Sequence, residues 1–120
     1  MVDDQENWQL ALRVLLEGEG LQIKTAGTFE EAQTQLSHTQ FDLTILDVRL
    51  LNEETTNIEG IALLKMVKHT SPSTKTIVLT GYPDSLRETP ESDAFVFKVP
   101  AGGHFDSREF KRLVKRLLEN

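Results

Sequence analysis

Five residues of this 120-residue sequence have the types and places to handle a phosphoryl group: the adjacent pair Asp3 and Asp4, then Asp47, Thr80 and Lys98. Asp47 closes the run Phe41-Asp42-Leu43-Thr44-Ile45-Leu46, Thr80 closes Thr76-Ile77-Val78-Leu79, and Lys98 closes Ala94-Phe95-Val96-Phe97. Runs this rich in β-branched and aromatic residues read as strands, and helical patterns separate them. In an open parallel sheet the carboxyl ends of the strands share one crevice, where ligands bind. Carboxylate oxygens suit a hard divalent cation, while an ammonium and a hydroxyl can donate to phosphoryl oxygens. Each group alone has a plainer reading. An Asp pair ahead of a helix serves as an N-cap, a strand-end Asp or Thr is a common turn residue, and a lone lysine is usually solvated. Taken together, at successive strand ends, they point to a site for a divalent cation and a phosphoryl group.

The elements that must carry these residues follow from periodicity. Trp8, Ala11, Leu12, Leu15 and Leu16 form the apolar side of a helix over residues 6–17, stopped near Gly18 and Gly20. Residues 21–26 alternate apolar and polar, as a half-exposed strand does. Thr28 caps the next helix, with Glu31 three residues on to complete a capping box, and Phe29, Ala32 and Leu36 supply its buried side. Residues 41–47 are more continuously apolar, which predicts a central strand. A polar stretch over 52–57 leads to Gly60 and a helix carrying Ile61, Leu63, Leu64 and Val67, stopped by Ser71-Pro72-Ser73. Residues 75–80 and 95–98 are strands, and Pro83 and Pro90 between them leave room only for a short helix. Asp106 or Ser107 caps the last helix, with Phe110, Leu113, Val114, Leu117 and Leu118 on its apolar stripe and Lys111, Arg112, Lys115 and Arg116 opposite. Strands alternating with helices imply a doubly wound α/β fold with a parallel sheet and right-handed crossovers.

Bulk properties narrow the function. The length suits one domain, residues 1–120, with a core of its own. The sequence contains no cysteine, so disulfides, thiol chemistry and cysteine-zinc sites are excluded. His38, His69 and His104 are far apart in sequence, against a preformed histidine metal site. A net charge of −6 argues against direct binding to nucleic acid or an anionic membrane. No apolar stretch approaches the ~20 residues needed to cross a bilayer, and the amino terminus does not read as a signal peptide, so a cytoplasmic location is expected.

The motifs Val2-Asp3-Asp4, Leu46-Asp47-Val48-Arg49, Leu79-Thr80-Gly81 and Phe97-Lys98 resemble those of the receiver domain of two-component response regulators. The resemblance covers essentially the whole sequence after residue 2. It implies a flavodoxin-like sheet of strand order 2-1-3-4-5, with the first strand shortened or absent and the fourth helix short. It implies a phosphoryl-accepting switch rather than an enzyme, with Asp47 the nucleophile that takes a phosphoryl group from a sensor histidine kinase or phosphotransfer protein. Asp3, Asp4, Asp47 and the backbone carbonyl of Arg49 would hold Mg2+, Lys98 would bond a phosphoryl oxygen, and Thr80 with Phe95 would form the switch read by a downstream protein.

The sequence departs from the family pattern in four places. Only Met1 and Val2 precede the acidic pair, where the family has a full buried strand; the loop from Asp47 to Gly60 is long and lacks the usual proline; the segment from Thr80 to Lys98 is short; and Val99 separates Lys98 from Pro100. The alternative reading is therefore a pseudo-receiver, an interaction module without efficient phosphorylation. A phosphatase of the haloacid dehalogenase type fits least, because that chemistry wants Asp-x-Asp and Arg49 stands at the second position. Two residues are too few to cross a sheet at ~3.3 Å each. The expectation is that a first strand lies further upstream, or that its lack is compensated by closure of the sheet or by self-association.

Overall fold

The computed structural model describes residues 1–2, 6–47, 56–80, 92–97 and 105–119, and only the backbone at 6, 47, 56–61, 80 and 97. Helices α1 (Glu6–Glu17), α2 (Phe29–His38), α3 (Thr56–Thr70) and α4 (Ser107–Glu119) alternate with strands β1 (Leu43–Asp47), β2 (Lys75–Thr80) and β3 (Ala94–Phe97). The three strands form one parallel sheet in the order β1-β2-β3. Beyond β1, Val2 is bridged in parallel to both Leu46 and Ala26. Counting the two amino-terminal pieces as first and second strands, the order across the sheet is 2-1-3-4-5, the doubly wound arrangement expected. The short fourth helix expected between Pro83 and Pro90 falls outside the described residues.

Alternation along the strands splits the core into two layers. Ile45, Ile77 and Leu79 pack with Leu12 and Leu16 of α1 and Phe110 and Val114 of α4. Leu46 and Val78 pack on the opposite side with Ala26, Ala32 of α2, and Leu63 and Leu64 of α3. Ile77, Val78 and Leu79 are fully buried, because a parallel strand with helices on both faces has no solvent side. Trp8 meets Phe105 edge-on at 5.2 Å and Phe105 lies 5.4 Å from Phe110, which ties α1 to the start of α4.

Local signals behave largely as read. The Thr28 hydroxyl accepts from the Glu31 N–H at 3.1 Å, and Glu31 returns its carboxylate to the Thr28 hydroxyl at 3.4 Å rather than to the backbone N–H of a full capping box. Asp106 is the cap of α4, accepting from the Arg108 and Glu109 N–H groups at 3.0 and 3.2 Å. Gly20, at φ +85, takes the left-handed conformation that ends α1. Lys111 and Lys115 of α4 both reach Glu19, just past α1, and their hydrogen bonds and charge hold its carboxyl below its ordinary range.

Three expectations need correction. Ala11 is exposed rather than buried, and Leu10 and Val14 also face solvent. Strand β1 begins at Leu43, two residues later than expected. Residues 21–25 keep the alternating exposure of a strand but are not one. A strand is defined by its pairing, and among the described residues of this segment Ala26 alone is bridged, to Val2. A cavity of about 490 Å³ lies between residues 21–24 and β1, with Met1 among its lining residues.

Candidate functional site

The candidate site is the carboxyl-terminal edge of the sheet. Asp47 ends β1 in register with Leu79, and Thr80 ends β2 in register with Phe97, the last residue of β3. Val2, the residue before Asp3, is bridged to Leu46, the residue before Asp47. Four successive chain segments thus arrive at one edge, spanning three strand spacings of ~4.8 Å, or about 14 Å. Asp47 and Thr80 are brought to neighbouring strand ends. Asp3, Asp4, Arg49 and Lys98 lie outside the described residues, as do the side chains of Asp47 and Thr80.

Burial makes the edge a fixed frame. Leu46 and Leu79, which flank the ends of β1 and β2, are both 0% exposed. Phe95 sits opposite Val78, two residues before Thr80, and at 37% exposure it is a surface aromatic rather than part of the core. Among the described residues no three His, Asp or Glu side chains gather in a metal-binding group, and no helix is long and apolar enough to cross a membrane.

The opposite edge is locked by a residue that sequence reasoning passed over. One carboxylate oxygen of Asp93 accepts from the Thr76 N–H at 2.7 Å, the Thr76 hydroxyl at 3.2 Å and the Lys68 ammonium at 3.2 Å. The Asp93 N–H donates back to the Thr76 carbonyl at 2.9 Å. Burial pushes this carboxyl up, but the Thr76 N–H and the Lys68 charge outweigh it and hold it below the usual carboxylate range. The knot sets the register of β3 on β2 and so fixes where Phe97 stands relative to Thr80. In sequence, an Asp before a short strand reads only as a turn residue.

A family model for the response regulator receiver domain matches residues 1–95. The chain belongs to the response regulator receiver domain family. Among curated relatives, the transcriptional regulatory protein ZraR of Escherichia coli K12 is 32% identical over 82 residues. That stretch is 68% of this chain but 18% of ZraR, so the receiver chain spans under a fifth of the relative it matches. Among solved structures, the response regulator TrrA of Thermotoga maritima, determined in complex with Mg2+-BeF, superposes with a TM-score of 0.78 at 30% identity, covering 97% of this receiver and 94% of TrrA. A CheY-like receiver domain from Methanospirillum hungatei shares the fold, with a TM-score of 0.76 at 24% identity over 98% of this chain and 90% of its own. The receiver fold is a signalling regulator of two-component systems.

Proposed function

We propose that this receiver, taken as one domain over residues 1–120, is a phosphoryl-accepting switch with Asp47 as the acceptor. The observation that carries the proposal is the register at the sheet edge: Asp47 and Thr80 end adjacent strands, Val2, the residue before Asp3 in sequence, is bridged to Leu46, and Phe97, the residue before Lys98 in sequence, is paired with Thr80. An Asp47 carboxylate oxygen forms the new bond to phosphorus as the bond to the histidine of a sensor kinase or phosphotransfer protein breaks, and the imidazole takes up a proton. Lys98 donates to a phosphoryl oxygen as a compact positive charge, and the Thr80 hydroxyl donates to another. Phe95, already half outside the core, rotates by packing alone as Thr80 shifts, and a downstream protein reads the surface around β3 and α4.

The donor set fits magnesium. Asp3, Asp4, Asp47 and the Arg49 carbonyl would all offer oxygen ligands, and Val2, the residue before the acidic pair in sequence, is bridged to Leu46, the residue before Asp47. When bound there, Mg2+ would neutralise part of the charge on the phosphoryl oxygens. The solved relative TrrA, in complex with Mg2+-BeF, supports this reading. The location proposed is cytoplasmic, where a soluble kinase domain would reach the site.

A second reading, a pseudo-receiver that binds partners without efficient phosphorylation, is favoured by two departures in sequence: the long stretch from Asp47 to Gly60 without the family's proline, and Val99 standing between Lys98 and Pro100. One experiment separates them. Intact mass after incubation with magnesium and a small acyl phosphate should rise by one phosphoryl group, mapped to Asp47 and absent in Asp47→Asn. An unchanged mass at saturating donor would favour the pseudo-receiver, and labelling elsewhere at equal rate would overturn the assignment of Asp47.

A further inference from the structure

The strand that precedes Lys98 has few side chains to hold its register. β3 has four residues and, among the described residues, pairs with β2 alone. Ala94 and Val96 are only partly buried, against the layer that holds Leu79 and Phe110, and Phe95 is 37% exposed. A one-residue slip would turn the apolar side outward, but a two-residue slip keeps each side chain on its own face and re-forms the ladder. Advancing β3 by two along β2 would put Ser92 and Ala94 in the places of Ala94 and Val96, and Phe95 in the place of Phe97. These exchanges are mild, because Ile77-Val78-Leu79 opposite is apolar throughout and does not discriminate between them.

The registers are told apart by the Asp93 knot, one residue before the strand. Thr76 is 0% exposed and held inside β2. Its N–H donates to the Asp93 carboxylate at 2.7 Å, and its hydroxyl both donates to that carboxylate and accepts from the Asp93 N–H, each at 3.2 Å. The Lys68 ammonium reaches the same carboxylate oxygen from α3, so β3 is tied to an element besides β2. Charge-assisted bonds of this kind are the strong ones. A two-residue slip would carry Asp93 ~6.6 Å along β2 and break all of them together.

The consequence falls at the other end of the strand. Phe97 is paired with Thr80, and Lys98 is the next residue in sequence. An ammonium bonds an anionic oxygen at ~2.8 Å, so a displacement of ~6.6 Å removes that bond, and a shift of about 1 Å already slows a reaction that depends on it.

We propose that Asp93 is a positioning residue for phosphoryl transfer: held by Thr76 and Lys68, it fixes the register of β3 so that Lys98 follows a Phe97 paired with Thr80. Asp93 is four residues from Phe97, about 13 Å along an extended chain, and acts through the strand rather than on the phosphoryl group. The proposal rests on the reading of Asp47 as the acceptor and Lys98 as the cation that bonds the phosphoryl oxygen.

The test is a double-mutant cycle on the full chain, read by intact mass as the rate at which a small acyl phosphate with magnesium labels Asp47. Asp93→Ala should slow labelling about tenfold or more, with magnesium affinity changed less than about twofold, because no metal ligand lies on β3. Hydrogen exchange at the amides of Phe95 and Phe97 should speed up in the same variant. Asp93→Asn leaves an oxygen to accept from Thr76 and should recover most of the rate. In a Lys98→Ala background, Asp93→Ala should slow labelling by less than about twofold, since its effect runs through the lysine. A purely structural role would slow both backgrounds alike. If Asp93→Ala does not fold, Asp93→Ser takes its place in the cycle. The proposal is overturned if Asp93→Ala is labelled at the native rate, if Asp93→Asn is as slow as Asp93→Ala, if the loss is equal with and without Lys98, or if exchange in β3 is unchanged. A native protein that takes no label would instead refute Asp47 as the acceptor, and the positioning role with it.

Discussion

The Met1 ammonium allows a quantitative test of how the amino terminus is held. It donates to the Lys24 carbonyl at 2.8 Å, and burial pushes its pKa down from 8.0 to about 6. A group with a lower pKa folded than unfolded binds fewer protons when folded, so stability rises with pH between the two values. The penalty for keeping the amine charged is full below pH 6, fades between 6 and 8, and is gone above 8. Two pH units at ~1.36 kcal/mol each set an upper bound of about 2.7 kcal/mol. Met1 as a residue is only half-buried, so roughly half that bound is expected after solvent screening. The assay is urea unfolding at pH 5.5, 7 and 8.5 for protein with a free amine and for the same protein acetylated at Met1. Acetylation keeps an N–H for Lys24 but removes the charge, and it leaves every other titrating group as a common background. The free-amine protein should gain stability relative to the acetylated one as pH rises. A difference that stays constant across the range would refute the reasoning and show that water reaches the amine freely.

Asp93→Ala strips the Thr76 N–H and hydroxyl and the Lys68 ammonium of their shared acceptor and should cost about 1.5–3 kcal/mol in chemical denaturation; a loss under ~0.5 kcal/mol would mean that the knot does not hold β3. The native Asp93 contribution is complete above the ordinary carboxyl pKa of 3.8 and is lost as pH falls through its lower folded value, so the variant and native proteins should converge in stability in strong acid. Thr44 carries a buried hydroxyl with no hydrogen-bond partner among the described residues; Thr44→Val, nearly equal in shape, should stabilise by about 1 kcal/mol, and a destabilisation of that size would reveal a partner. Lys98→Ala should leave magnesium affinity intact or raise it in a fluorescence titration, because it removes a competing positive charge, while labelling by an acyl phosphate falls; a large loss of metal binding would contradict the role given to Lys98.

What the sequence determined by itself was everything that depends on near neighbours along the chain. Thr28 and Asp106 cap helices because a short oxygen side chain reaches N–H groups two or three residues on. The apolar stripe through Phe110 and Val114 and the unbroken run Ile77-Val78-Leu79 specify a helix and a doubly covered strand through their periods alone. The receiver family is legible for the same reason, since its motifs are short and each closes its own strand. Tertiary structure decided what depends on partners distant in sequence. Residues 21–25 alternate like a strand yet are not one, because a strand is made by pairing with a neighbour, and among the described residues of this segment only Ala26 is bridged. Ala11, placed on the buried stripe of α1 by spacing, faces solvent, because the face a helix buries is set by where α4 and the sheet lie. Asp93 looks like a turn residue until Thr76 and Lys68 converge on it from β2 and α3.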